Sequence, residues 1–182
     1  MLQEITPQLQ EEINALLLKL VRRSVPLEHF LKLEEVVHNT RCKTEGEYIY
    51  FSFRNSEGDI AMSFRGRQPE KNSVSMGFLF TVLNSHLMEF AAAFSGKPVK
   101  LLPVRPPDLA KPPDRKHHDE LSGIAAQFQF CRRKFEQAAS DTEKVPHAAE
   151  LARLEKSVNR ETVRFYGLTK REIKLLKAVM EY

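Results

Sequence analysis

Apolar residues recur at helical spacing at Ile13, Leu16, Leu17, Leu20 and Val21, and Thr6-Pro7 stands just ahead of them. A hydroxyl able to cap, followed by proline at the first helical position, predicts a helix running to about Arg23. Pro26 predicts a second, shorter helix with Leu27, Phe30, Leu31 and Leu33 to bury. From about Val37 the period shortens to two. His38–Lys43 is a candidate strand and Tyr48–Arg54 a stronger one, with Ile49, Phe51 and Phe53 on one face and Tyr48, Tyr50 and Ser52 on the other. The turn signal Asn55-Ser56-Glu57-Gly58 and the alternation of Ile60, Met62 and Phe64 over Asp59–Arg65 complete a hairpin.

Beyond the polar loop Gly66–Lys71, Ser73 opens a helix to about Phe94 whose apolar residues occupy almost every face. Such a helix belongs in the middle of a core. Ser95-Gly96 ends it. Val99–Val104 predicts a strand, which Pro103, Pro106 and Pro107 restrict to an edge or a short piece. Residues 105–118, with Pro106, Pro107, Pro112 and Pro113, predict an exposed irregular segment. Over Ile124–Phe130, Ala126, Phe128 and Phe130 alternate with Ala125, Gln127 and Gln129, which predicts another strand. Pro146 to about Arg164 predicts a helix with Ala148, Leu151, Leu154 and Val158 on its apolar face. Gly167 breaks it. Thr169-Lys170-Arg171-Glu172 is a capping box opening a last helix that carries Ile173, Leu176, Val179 and Met180. The elements sum to an α+β fold, a small antiparallel sheet packed against a long buried helix with further helices at both ends. Residues 1–166 form one sensor or binding domain, and 167–182 a capped helix, read as the start of a truncated DNA-binding region.

A chain of 182 residues supports one real core. Its 42% hydrophobic and 29% charged residues exclude wholesale disorder, and twelve Phe supply bulk in the absence of Trp. The net charge of +4, from 28 basic and 24 acidic residues, is a small excess for a dedicated nucleic-acid binder. Two cysteines, Cys42 and Cys131, do not make a disulfide framework. The N-terminus lacks the basic and apolar regions of an export signal. Asn84, Ser85, His86 and Glu89 interrupt the most apolar stretch, so a buried helix is expected there rather than a membrane span. The expectation is a cytoplasmic protein with free thiols and no membrane association.

Phe80 to Phe130 carries a resemblance. A Leu-rich helix precedes Ser95-Gly96-Lys97-Pro98-Val99-Lys100-Leu101, then come Pro106-Pro107 and the stretch from His117-His118-Asp119-Glu120 to Gln127-Phe128. This order resembles the N-terminal effector-binding, arabinose-binding-like domain of AraC-type transcription regulators. That family's Phe-Gly is here Leu121-Ser122-Gly123, and its Pro-Val is Ala125-Ala126. Leu168–Leu176 also looks like the first helix of a LuxR-type DNA-binding domain. The resemblance implies ligand sensing or protein interaction in bacterial transcription regulation, without catalysis. Its partners would be a small-molecule effector and a dimer mate or partner regulator. Tyr50, Phe64, Phe80 and Arg105 are the candidate pocket residues.

Other constellations carry alternatives. Arg105, Lys111, Arg115, Lys116, Arg132, Arg133 and Lys134 could gather on one edge and hold phosphates, the nucleic-acid reading. His117, His118, Asp119 and Glu120, with His147, invite a metal, but without a fixed helical pair the reading is an exposed polar loop and no metal. Cations beside Cys131 could lower its pKa, yet no positioned base is identifiable. The hairpin aromatics Tyr48, Tyr50, Phe51, Phe53 and Phe64 could stack bases or line a pocket; Phe51, Phe53 and Phe64 are assigned to the core. No phosphate loop, nucleophile elbow or paired-carboxylate motif occurs, so no cofactor and no enzymatic activity are expected.

Overall fold

The computed structural model describes residues 5–36, 43–54, 59–68 and 74–180, with backbone alone at 60 and 61. Helix α1 (Pro7–Arg22) starts as its sequence dictates: the Thr6 hydroxyl accepts from the Leu9 N–H, and Pro7 occupies the first turn. Its Ile13, Leu16 and Leu20 are buried. Pro26 does not open a second helix. Val25–Pro26 is a short strand, β1, followed by a single 3-10 turn at Leu27–His29 and by β2 (Lys32–Glu35). The one turn is enough to bury Leu27, Phe30 and Leu31.

Strands β3 (Lys43–Glu45), β4 (Tyr48–Arg54) and β5 (Ile60–Arg67) join β2 in a four-stranded antiparallel sheet of order β2-β5-β4-β3. The hairpin register sets Phe51 opposite Phe64 and Ser52 opposite Ser63, and a bulge lies between Phe53 and Arg54. Phe51 and Phe53 are buried, and Phe64 stacks on Phe51 at 5.7 Å. The 55–58 turn, the Ser73 cap, Cys42 and all but Lys43 of the strand expected over 38–43 lie outside the described residues.

The apolar segment expected as one helix is two, α2 (Met76–Leu83) and α3 (His86–Phe94), bent by 61°. Asn84 and Ser85 break it by offering the backbone other partners. Asn84 Nδ2 donates to the Phe80 carbonyl at 2.8 Å. Ser85 Oγ donates to the Val82 carbonyl at 2.7 Å and accepts from the Met88 N–H. Among the described residues no single helix is long and apolar enough to cross a membrane; this bent pair passes by length and composition, and its large side chains fill the core. Gly96, at φ 64°, ends α3 as expected.

Val99–Val104 forms a 3-10 turn at Val99–Leu101 and a two-residue strand, β6 (Pro103–Val104), paired with β1. The largest departure follows. Residues 112–118, expected as irregular, and 124–130, expected as a strand, lie in one 26-residue helix, α4 (Pro112–Gln137). Pro112 and Pro113 sit at its first two positions, where no helical N–H is missed. Its buried residues His118, Leu121, Ala125 and Cys131 follow the helical repeat. Helix α5 (Asp141–Phe165) returns antiparallel along α4, with Ser140 capping it and Pro146 inside its second turn. The turn after α5 uses Gly167 at φ 66°. Helix α6 (Lys170–Val179) has the expected capping box, Thr169 with Glu172. The molecule is thus α+β. α2 and α3 lie at its centre, with β4, α4 and α5 packed against α2. The capped helix expected over 167–182 adds Leu175, Leu176 and Met180 to the same core cluster.

Candidate functional site

The end of β4, the break between α2 and α3, the C-terminal half of α4 and the middle of α5 do not close fully on one another. They leave a cleft of about 330 Å³. Its apolar wall is Phe53, Phe80, Leu83, Phe128, Phe135, Leu151 and Val158. Phe80 and Phe128 meet at 5.9 Å. The polar lining comes from Ser52, Arg54, Asn84, Ser85, Glu89, Arg132, Glu136 and Glu155.

The local sequence explains each polar group. Glu89 lies in the first turn of α3, where the helix N-terminus favours a carboxylate. It is buried, and both of its oxygens are held by Arg54. The Arg54 N–H and Nε donate to Oε1, each at 2.9 Å, and Nη2 donates to Oε2 at 3.2 Å. Burial pushes the Glu89 carboxyl up, but the Arg54 hydrogen bonds and charge, with His86 adding, outweigh it and hold the group below its ordinary 4.5. Arg132 Nε reaches Glu136 at 2.9 Å, one turn along α4. Glu155 has no ion-pair partner among the described residues. With Arg54 and Arg132 each matched by a carboxylate, the lining keeps one unmatched negative charge.

Compared with protein-family models, curated proteins and solved structures, the chain matches none.

Of the four residues expected to line a pocket, the structure places Phe80 in the cleft. Tyr50 is buried beneath Lys43, whose Nζ lies 4.9 Å from its ring. Phe64 packs on Phe51. Arg105 is a structural pin: its side chain donates to the Phe165 carbonyl, pairs with Asp114 at 3.0 Å and lies over the Phe165 ring at 4.4 Å. The buried Tyr166 hydroxyl completes that junction, accepting from the Arg105 N–H and donating to the Pro103 carbonyl, each at 3.0 Å.

The basic residues do not form one edge. Arg115 and Lys116 lie near the start of α4, and Arg132, Arg133 and Lys134 near its end. At 1.5 Å of rise per residue the two groups stand about 25 Å apart. Lys111 pairs with Asp108, and Arg115 Nε donates to the Leu109 carbonyl. Lys134 lies over the Phe130 ring at 5.5 Å. Cys131 is buried, its Sγ 3.4 Å from the His147 carbonyl, and burial first, then the Glu150 charge, pushes the thiol up. The neighbouring cations therefore do not activate it. His118 Nε2 accepts the Ser75 N–H at 3.1 Å, and Nδ1 faces Asp119 at 3.0 Å, so its ring fixes the start of α2.

Sequence reasoning missed Arg54, Glu89 and the whole α5 wall. One signal was available for Glu89, since a carboxylate inside an apolar helix must be paired when it is buried.

Proposed function

We propose that the chain is a non-catalytic, cytoplasmic ligand-sensing domain whose cleft takes a small amphipathic effector with an apolar body and a cationic head. The cleft itself carries the reading. Its volume of about 330 Å³ falls within the range of small-molecule sites, and its apolar wall with a few placed polar groups matches their make-up. The unmatched Glu155 carboxylate favours a cation at the mouth. The wall is built from β4, the α2–α3 break, α4 and α5, so an occupant that fits one arrangement of these elements better than another shifts their population. Transcriptional control is the setting that the AraC-type resemblance implies. The cleft argument does not draw on it, because Ile124–Phe130 is helix rather than strand. The separation of the basic groups along α4 leaves the nucleic-acid alternative without a continuous surface.

The test is calorimetric titration with three probes of matched size: an arylalkylamine, the corresponding carboxylate and the corresponding alcohol. The amine is expected to bind best. Phe128→Ala should weaken all three, while Glu155→Gln should remove the preference for the amine. Failure of all three to bind would sink the reading.

A further inference from the structure

We propose that His117 and Glu120 of α4, together with Glu161 of α5, form a divalent metal site of the Zn²⁺ class. One ligand atom from each residue lies within 4.8 Å of the other two. The site belongs to the N-terminal half of α4, away from the cleft. The placement follows from helical geometry. His117 and Glu120 are three residues apart and share a face, and the antiparallel return of α5 brings Glu161 against it.

Three observations point to a ligand there. First, His117 Nδ1 is buried and has no hydrogen-bond partner. Its nearest carboxylate oxygen, on Glu120, is 3.8 Å away, beyond a hydrogen bond. A buried polar atom left in this state is costly unless something else meets it. Second, Glu161 is a buried carboxylate whose Oε1 accepts from Arg160 at 2.8 Å and Arg164 at 3.1 Å. Oε2 has no hydrogen bond among the described residues. Ligating carboxylates are commonly oriented in this way by donors on the oxygen away from the metal. Both arginine side chains are more than half exposed, so neither is locked across the site. Third, the donor set is one imidazole and two carboxylates from two rigid helices. Three protein ligands with a position left for water is the composition of an open zinc-type site. Ligand atoms around one tetrahedral ion lie about 3.4 Å apart. The Glu120 side chain is exposed, so its rotation can bring its oxygen towards the other two ligand atoms.

The chelator-treated full chain is titrated with Zn²⁺ by calorimetry and with Co²⁺ by visible absorption. One equivalent should bind saturably, with Co²⁺ giving ligand-field bands. His117→Ala and Glu161→Gln should each weaken binding by about 100-fold or more, at least the loss that an outer-sphere partner alone can cause. Glu120→Gln should weaken it by about tenfold or more, and His147→Ala should leave it unchanged. Circular dichroism of the metal-free variants checks folding. Glu120 is on the surface, so its variant decides if the other two unfold. Absence of saturable binding to the parent chain overturns the proposal. So does full affinity in Glu120→Gln, because the metal would then sit elsewhere.

Discussion

At the scale of single residues, the most buried ion pair among the described residues is Arg54–Glu89, whose side chains are 15% and 7% exposed. Two charges this far from water hold each other in place, and removing one strands the other. Glu89→Gln keeps the shape and deletes the charge. It should cost about 3–5 kcal/mol in urea unfolding at neutral pH. The same pair has a pH signature. The folded Glu89 carboxyl sits below its ordinary 4.5, so the unfolded chain binds the proton more tightly. The pair's contribution is therefore present above about that pH and fades as the pH falls through the folded value. The stability gap between parent and Glu89→Gln should narrow on acidification across that window. A gap that stayed constant would mean that Glu89 is not charged in the fold.

At the scale of elements, the hairpin, α1 and the capping box of α6 were legible because their signals are local: alternation, a hydroxyl followed by proline, and Thr with Glu three residues on. Ile124–Phe130 was misread because alternation over seven residues fits two periods. Ala, Gln and Phe at alternate positions also satisfy a helix when the residues beyond them, Leu121 before and Cys131 after, extend the stripe at three- and four-residue steps. Pro112-Pro113 misled in the same way, since adjacent prolines mark an irregular segment as readily as a helix start. Two glycines test the corrected α4. Gly123 lies inside it with open space where a Cβ would go. Gly123→Ala should therefore raise stability by about 0.5–1 kcal/mol. Gly77 of α2 is different. A Cβ there would lie 3.2 Å from the Ser122 carbonyl oxygen and 3.3 Å from its Cα, both backbone atoms of α4. At this close crossing Thr81 Oγ1 also donates to the Leu121 carbonyl at 2.7 Å. Gly77→Ala should lower stability by about 1–3 kcal/mol through overpacking. Opposite signs from the same substitution, read in urea midpoints, would verify both the helix and its contact.

At the scale of the whole molecule, the cleft was only partly legible. It is assembled from four segments far apart in sequence, and no periodicity reports which walls will meet. Phe80 stands out by its place in the most apolar helix, whereas no sequence signal singles out Glu155 or Phe135. The same limit hides where α6 docks, since its capping box is local and its docking is not. In the fold, Lys19 of α1 donates to the Gly167 carbonyl at 3.1 Å and to Glu172 at 2.7 Å, and Arg171 pairs with Glu12 at 2.6 Å. These contacts are partly exposed and worth little by themselves. Leu175, Leu176 and Met180, each less than a tenth exposed, matter more. Burying three such side chains contributes about 5–9 kcal/mol. The entire margin of a domain is about 5–15 kcal/mol. Ending the chain after residue 166 should therefore abolish cooperative unfolding, while Leu175→Ala in the full chain should cost about 2–5 kcal/mol. A chain of residues 1–166 that unfolded cooperatively at a midpoint near the parent's would make α6 an appendage. Loss of the transition would make it the closing element of the core, and the cleft would then depend on a helix that packs against α1 and α3.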